Sequence, residues 1–94
     1  MFNSKRYMTK GIENSIPISL QVYLWNLIDN LPEPKDYLQV FRLSSFCDKQ
    51  KIVHEQEEPE YSAEYSISCK NLVNEKIYVI DDETHCTMLL ASEY

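Results

Sequence analysis

The chain has a single glycine in 94 residues, Gly11. That scarcity excludes collagen-like and glycine-rich repeats, and it leaves no material for a glycine-rich phosphate cradle. Long apolar runs are also missing; nothing approaches the ~20 residues a membrane helix needs. No apolar stretch follows Lys5-Arg6, position 2 is not glycine and no cysteine lies near the C-terminus, so neither a signal peptide nor a lipidation signal is expected. These absences predict a cytosolic protein. Cysteine is sparse as well. Cys47, Cys69 and Cys86 are odd in number, far apart and without a Cys-x-x-Cys pair. In a reducing compartment they read as small buried hydrophobes rather than as disulfides, redox sensors or metal ligands. No internal repeat or linker divides the chain, and its length predicts one domain over 1–94.

Positive charge is short overall. Fifteen Asp and Glu oppose nine Lys and Arg, for a net −6. The imbalance is uneven. Residues 1–47 carry five basic and four acidic side chains (+1), and residues 48–94 carry four and eleven (−7). A half so acidic repels a phosphate backbone, so nucleic-acid binding is disfavoured. A weaker alternative keeps a nucleic-acid-associated regulator contacting phosphate through Lys5, Arg6 and Lys10. Three such cations more often protect an edge strand. What the chain does have is apolar and aromatic surface: 44% hydrophobic residues and eleven aromatics, enough to offset the entropy of ordering. One compact core without staples is feasible at this size.

Residues 5–12 read as a short strand closed by Gly11. A helix follows, with Ser15 as N-cap and Pro17 in its first turn. Leu20, Tyr23, Leu24, Leu27, Ile28 and Leu31 make one broad apolar stripe that must face a core, and Pro32 and Pro34 stop the helix. Ile18, Val22 and Trp25 form a second stripe on another side. Two readings stay open: the N-terminal segment or the Asp36 loop covers them, or they bind a partner or a second copy of the chain.

Strands are predicted over 36–46, 50–56, 61–69, 76–82 and 85–91. In the first, Leu38, Val40, Arg42 and Ser44 face one way and Tyr37, Gln39, Phe41 and Leu43 the other, as in a central strand. Cys47, Asp48 and Lys49 make a tight turn into an antiparallel hairpin. Residues 61–69 alternate strictly, with Tyr61, Ala63, Tyr65, Ile67 and Cys69 inward. The expected fold class is α+β: one N-terminal amphipathic helix packed on one face of a five- to six-stranded, mainly antiparallel sheet.

Candidates for chemistry are few. His54 and His85 are the only imidazoles. Were their strands neighbours, the rings would approach each other and could form an acid–base or metal site with Asp81 or Cys86. The spacing matches no known ligand pattern, and adjacent His85 and Cys86 would point to opposite faces of a strand. Each histidine also has an ordinary reading, as a sheet-face residue bonded to a neighbour. Asp81, Asp82 and Glu83 form an acidic tip without the rhythm or glycine of a calcium loop, which turn chemistry alone explains. The acidic run Glu55 to Tyr61 reads as a solvated turn that could at most engage a basic protein surface. No nucleophile elbow surrounds any serine. No cofactor or metal is expected.

Several segments together resemble a known family: Lys5-Arg6-Tyr7 with Thr9-Lys10-Gly11, Leu20-Gln21 with Leu24 to Asp29, Asp36 to Phe41, His54 with Gln56-Glu57 and Pro59-Glu60-Tyr61, Lys76 to Asp82, His85, and Thr87 to Ala91. They are similar to the small Firmicute domain-of-unknown-function family numbered nine hundred and sixty, first described from staphylococci. The resemblance implies a small cytoplasmic bacterial protein and carries no activity, ligand or site residue. The leading expectation is therefore a non-catalytic interaction protein, with a protein partner or a second copy of the chain in a homodimer contacting it through Ile18, Val22 and Trp25. The runner-up is a small ligand-binding domain or enzyme built on His54, His85 and nearby carboxylates.

Overall fold

The computed structural model describes residues 1–94. In chain order the elements are β1 (Lys5–Met8), α1 (Lys10–Ser15), α2 (Ile18–Asp29), β2 (Leu38–Phe46), β3 (Lys49–Gln56), β4 (Tyr61–Ile67), β5 (Glu75–Asp81) and β6 (His85–Leu90), followed by a 3-10 turn over Ala91–Glu93. The six strands form one sheet in the order β1-β6-β5-β2-β3-β4. Every pairing is antiparallel except β1 with β6, which run parallel. The fold is thus α+β on a mixed, mostly antiparallel sheet, with two helices rather than one.

The sheet's two faces follow from the alternation. Phe41 and Leu43 of β2, Ile52 and His54 of β3, Ile77 and Val79 of β5, and Cys86 and Met88 of β6 are all buried. Ile12 of α1, Ile16 of the elbow, and Leu20, Leu24 and Ile28 of α2 join the apolar members of that set in one core cluster. Apolar residues of both helices thus share one cluster with the sheet's buried residues. Tyr23 adds an edge-to-face contact with Tyr65 of β4, centroids 6.5 Å apart. The opposite face carries Leu38, Val40 and Arg42 of β2 alongside Lys76, Tyr78 and Ile80 of β5, all half-buried or exposed.

The N-terminal third differs from its sequence reading. Only Lys5–Met8 is strand; residues 10–15 are helix. Thr9 caps α1, its Oγ1 accepting from the Ile12 N–H at 3.3 Å. A six-residue helix with one buried apolar residue, Ile12, shows no periodicity to detect. Gly11 does not close a strand. Its N–H donates to the Glu93 carboxylate at 3.1 Å, and a Cβ there would stand 2.6 Å from that carboxylate. The sole glycine leaves room for that carboxylate and adopts no unusual backbone angle. Ser15 ends α1 instead of capping the long helix, and Pro17 is the residue that precedes α2.

Phe2, unremarked in the sequence, is buried to 1% exposure beside β5, its N–H donating to Asp81 Oδ2 at 2.8 Å. The cysteines also differ from expectation: Cys86 is buried, Cys69 half-buried and Cys47 exposed. Cys47 sits with Asp48 in a two-residue hairpin loop, so it faces solvent.

Four buried glutamines fasten the irregular segments. Gln50 donates to the Val73 carbonyl at 2.9 Å and accepts the Val73 N–H at 2.8 Å, seating the β4–β5 crossover as a neighbouring strand would. Gln21 donates to the Ile16 carbonyl at 2.8 Å and so holds the elbow between the helices. Gln39 and Gln56 anchor the loops flanking β2 and β4.

Candidate functional site

The second stripe of α2 is divided by β1. Arg6 lies with its guanidinium 4.5 Å from the centroid of the Trp25 ring and pairs with the Asp29 carboxylate through both terminal nitrogens. Trp25 is half-buried and packs against the core cluster. The contact joins cation–π attraction to a forked ion pair, the geometry guanidinium favours. Ile18 and Val22, two turns and one turn earlier on the same ridge, have no such cover. They are 66% and 53% exposed. Intrachain cover and open surface are thus both present, one at each end of the ridge.

The same contact disperses the basic cluster. Arg6 is engaged with Asp29 and with the Phe2 carbonyl at 3.1 Å. Lys5, its neighbour on β1, points to the other face of the sheet, while Lys10 opens α1.

The two histidines do not meet, which corrects the expectation of a joint site. β3 and β6 are separated by β2 and β5, and the rings lie on opposite faces. His54 is fully buried on the helix side, stacked on Phe41 with centroids 4.3 Å apart and edge-on to Tyr61 at 5.5 Å. Its Nε2 bonds Gln39 Oε1 at 2.7 Å. The Gln39 amide nitrogen already donates to the Asp36 carbonyl and to Gln56 Oε1, so His54 must be the donor to Gln39 Oε1. Nδ1 is then a bare acceptor, and it has no partner. Burial lowers the His54 pKa to about 4, so the ring is neutral at pH 7.

The chain of bonds runs outward to the loop before β2. Asp36 accepts from the N–H groups of Leu38, Glu57 and Glu58. Burial works to raise its pKa, but the backbone donors, led by Glu58, outweigh that and lower it. Tyr61, against the other side of the imidazole, shares a hydrogen bond with Tyr65 that pushes its phenol up to about 12.

His85 stands at the β5–β6 tip. Its Nε2 is 3.1 Å from Asp82 Oδ2, and Thr84 Oγ1 meets its Nδ1 at 3.0 Å. Asp82 accepts the His85 backbone N–H, the main reason its pKa is lowered. Asp81 is buried and turned to the helix side, where it accepts from Phe2 and Glu83 N–H groups. Each of the three is accounted for by a local structural bond. No three His, Cys, Asp or Glu side chains converge at metal-ligating range, and no helix is long and apolar enough to cross a membrane.

Sequence reasoning missed the glutamine bonds, the Arg6–Trp25 contact and the Glu93 bond to Gly11. Only the glutamines left a signal: Gln39 falls among inward-facing residues in the alternation of β2, as do Gln50 and Gln56 in that of β3.

No curated protein matches the chain. Among solved structures, a crystal structure of a protein of unknown function from Enterococcus faecalis shares the fold at a TM-score of 0.85 and 25% identity, covering 98% of this chain and 92% of that one. Residues 5–93 match the family described as "Staphylococcal protein of unknown function (DUF960)", and the chain belongs to it.

Proposed function

We propose that the protein is a non-catalytic interaction module that docks a protein partner on the open end of the α2 ridge. The observation that carries this reading is the pair Ile18 and Val22, two aliphatic side chains more than half exposed on one helix ridge whose other end is sheathed by Arg6. Exposed aliphatics on adjacent turns lose apolar hydration when a partner covers them. The non-catalytic part is supported by the separation of the imidazoles and by the structural bonds of Asp81 and Asp82. Trp25 is less suited to probing the contact than Ile18 or Val22, because replacing it would also unseat Arg6.

A photo-cross-linking residue at position 22, compared in cells with one at Ser66 on the far edge strand, tests the reading. Adducts should form at 22 and disappear with Ile18→Glu, and their mass should tell a second copy from a different protein. Equal adducts at both positions, or none at 22, would reject it.

A further inference from the structure

The face of the sheet away from the helices carries a groove of about 390 Å³. That volume lies in the range of small-molecule sites. Its floor is half-buried Leu38, Val40 and Tyr78. Its two ends carry opposite charge. At one end Arg42 of β2 and Lys76 of β5 are directly opposed across the strands. Like charges so placed repel. The Arg42 Nε bonds Glu55 Oε1 at 2.8 Å, but the Lys76 ammonium has no carboxylate and lies 5.3 Å from the Tyr78 ring centroid. One positive charge is therefore left without a counterion beside another cation.

At the other end, Glu57 and Glu60 line the rim. Val40 pairs with Glu55, and β3 ends one residue later at Gln56, so the turn carrying Glu57 and Glu60 follows directly at the Leu38 end of the groove. Asp36 bonds the Glu57 and Glu58 backbone, and neither the Glu57 nor the Glu60 carboxylate forms an ion pair with a cation of the chain. From Arg42 to Leu38 is four residues, about 13 Å along the strand. With Arg42 and Glu55 paired, the groove keeps one free cation, Lys76, at one end and two free carboxylates, Glu57 and Glu60, at the other, so an anion alone leaves the carboxylates unmatched and a cation alone leaves Lys76 unmatched.

We infer that this groove binds a short zwitterionic peptide of three or four residues: its carboxylate on Arg42 and Lys76, its apolar side chains on Leu38, Val40 and Tyr78, and its ammonium towards Glu57 and Glu60. Only a ligand charged oppositely at its two ends satisfies both rims, and an extended tri- or tetrapeptide spans about 10–13 Å. The site lies on the opposite face of the sheet from Ile18 and Val22 and is independent of the docking reading.

The test is a titration of the full chain, followed by backbone amide chemical shifts, with Ala-Leu-Ala and with its N-acetyl and C-amide forms. The free peptide should shift residues 38–42, 55–57 and 76–78 saturably, and each blocked form should bind about three- to fivefold more weakly, the worth of one exposed ion pair. Lys76→Gln should erase the preference for the free carboxylate while keeping that for the free amine. Glu57→Gln with Glu60→Gln should do the reverse. All of these side chains are at the surface, so the variants should fold, and unchanged shifts elsewhere verify it. Equal affinity for free and blocked peptides, shifts centred elsewhere, or no saturable shift up to about 10 mM would overturn the inference.

Discussion

His54 is the side chain whose surroundings most alter its chemistry. It is neutral, stacked on Phe41, and holds Gln39 through one nitrogen while the other has no partner. An unpartnered buried acceptor costs free energy, and protonating it would bury a charge instead. The folded pKa of about 4 lies below the ordinary 6.5. Under acid the unfolded chain therefore takes up the proton first, and stability is lost as pH falls from about 6.5 towards 4. Between pH 7 and pH 5 the loss should be about 2 kcal/mol by urea denaturation. His54→Gln, which keeps a donor for Gln39, should flatten that slope. Asp36 and Glu93, whose pKa values are lowered, work in a different window. Their contribution is present above the ordinary carboxylate range and is lost only in stronger acid. A wild-type protein equally stable at pH 7 and pH 5 would contradict this account of the imidazole.

The β2–β3 hairpin was legible as an element, because two alternating runs flank a polar gap. Its loop proves to be two residues, with Phe46 opposite Lys49 and both Cys47 and Asp48 at positive φ, 52° and 62°. That is the turn whose twist matches paired strands, and it ordinarily carries Asn-Gly. Cys and Asp are held there at a cost in backbone energy. The double substitution Cys47→Asn with Asp48→Gly should raise stability by about 1 kcal/mol, read as an increase in Tm without change in the β content of the circular dichroism spectrum. A fall in Tm would mean the loop is held in another geometry. The helices were less legible. The stripe from Leu20 to Leu31 located α2, but α1 is too short to have a stripe, and the elbow between them depends on Gln21 reaching back to the Ile16 carbonyl.

The whole molecule is closed by contacts between the two ends of its sequence. β1 pairs with β6, and Phe2 reaches Asp81 across 79 positions of sequence. The parallel pairing brings Arg6 level with Cys86, so the chain's beginning covers the thiol near its end. Burial raises the pKa of Cys86, and the neighbouring Asp81 carboxylate adds to the effect. Both suppress thiolate formation. With an aromatic disulfide reagent in native buffer, Cys47 should react first and Cys69 next, while Cys86 should react only at the rate at which the sheet opens. Modification of Cys86 as fast as Cys47 would mean that β1 is not held against β6.

Alternation and helical periodicity are properties of residues a few positions apart, and they can be read along the chain. From them alone came the strands β2 to β6, the inward set on β4, the stripe of α2 and the α+β class. Pairing partners, and the direction of an edge strand, depend on residues dozens of positions apart. The parallel seat of β1, the placement of His54 and His85 on opposite faces, and the meeting of Arg6 with Trp25 follow from how the strands are ordered. A linear pattern carries no term for that order, because a strand's alternation says which side is buried and nothing about which neighbour lies alongside.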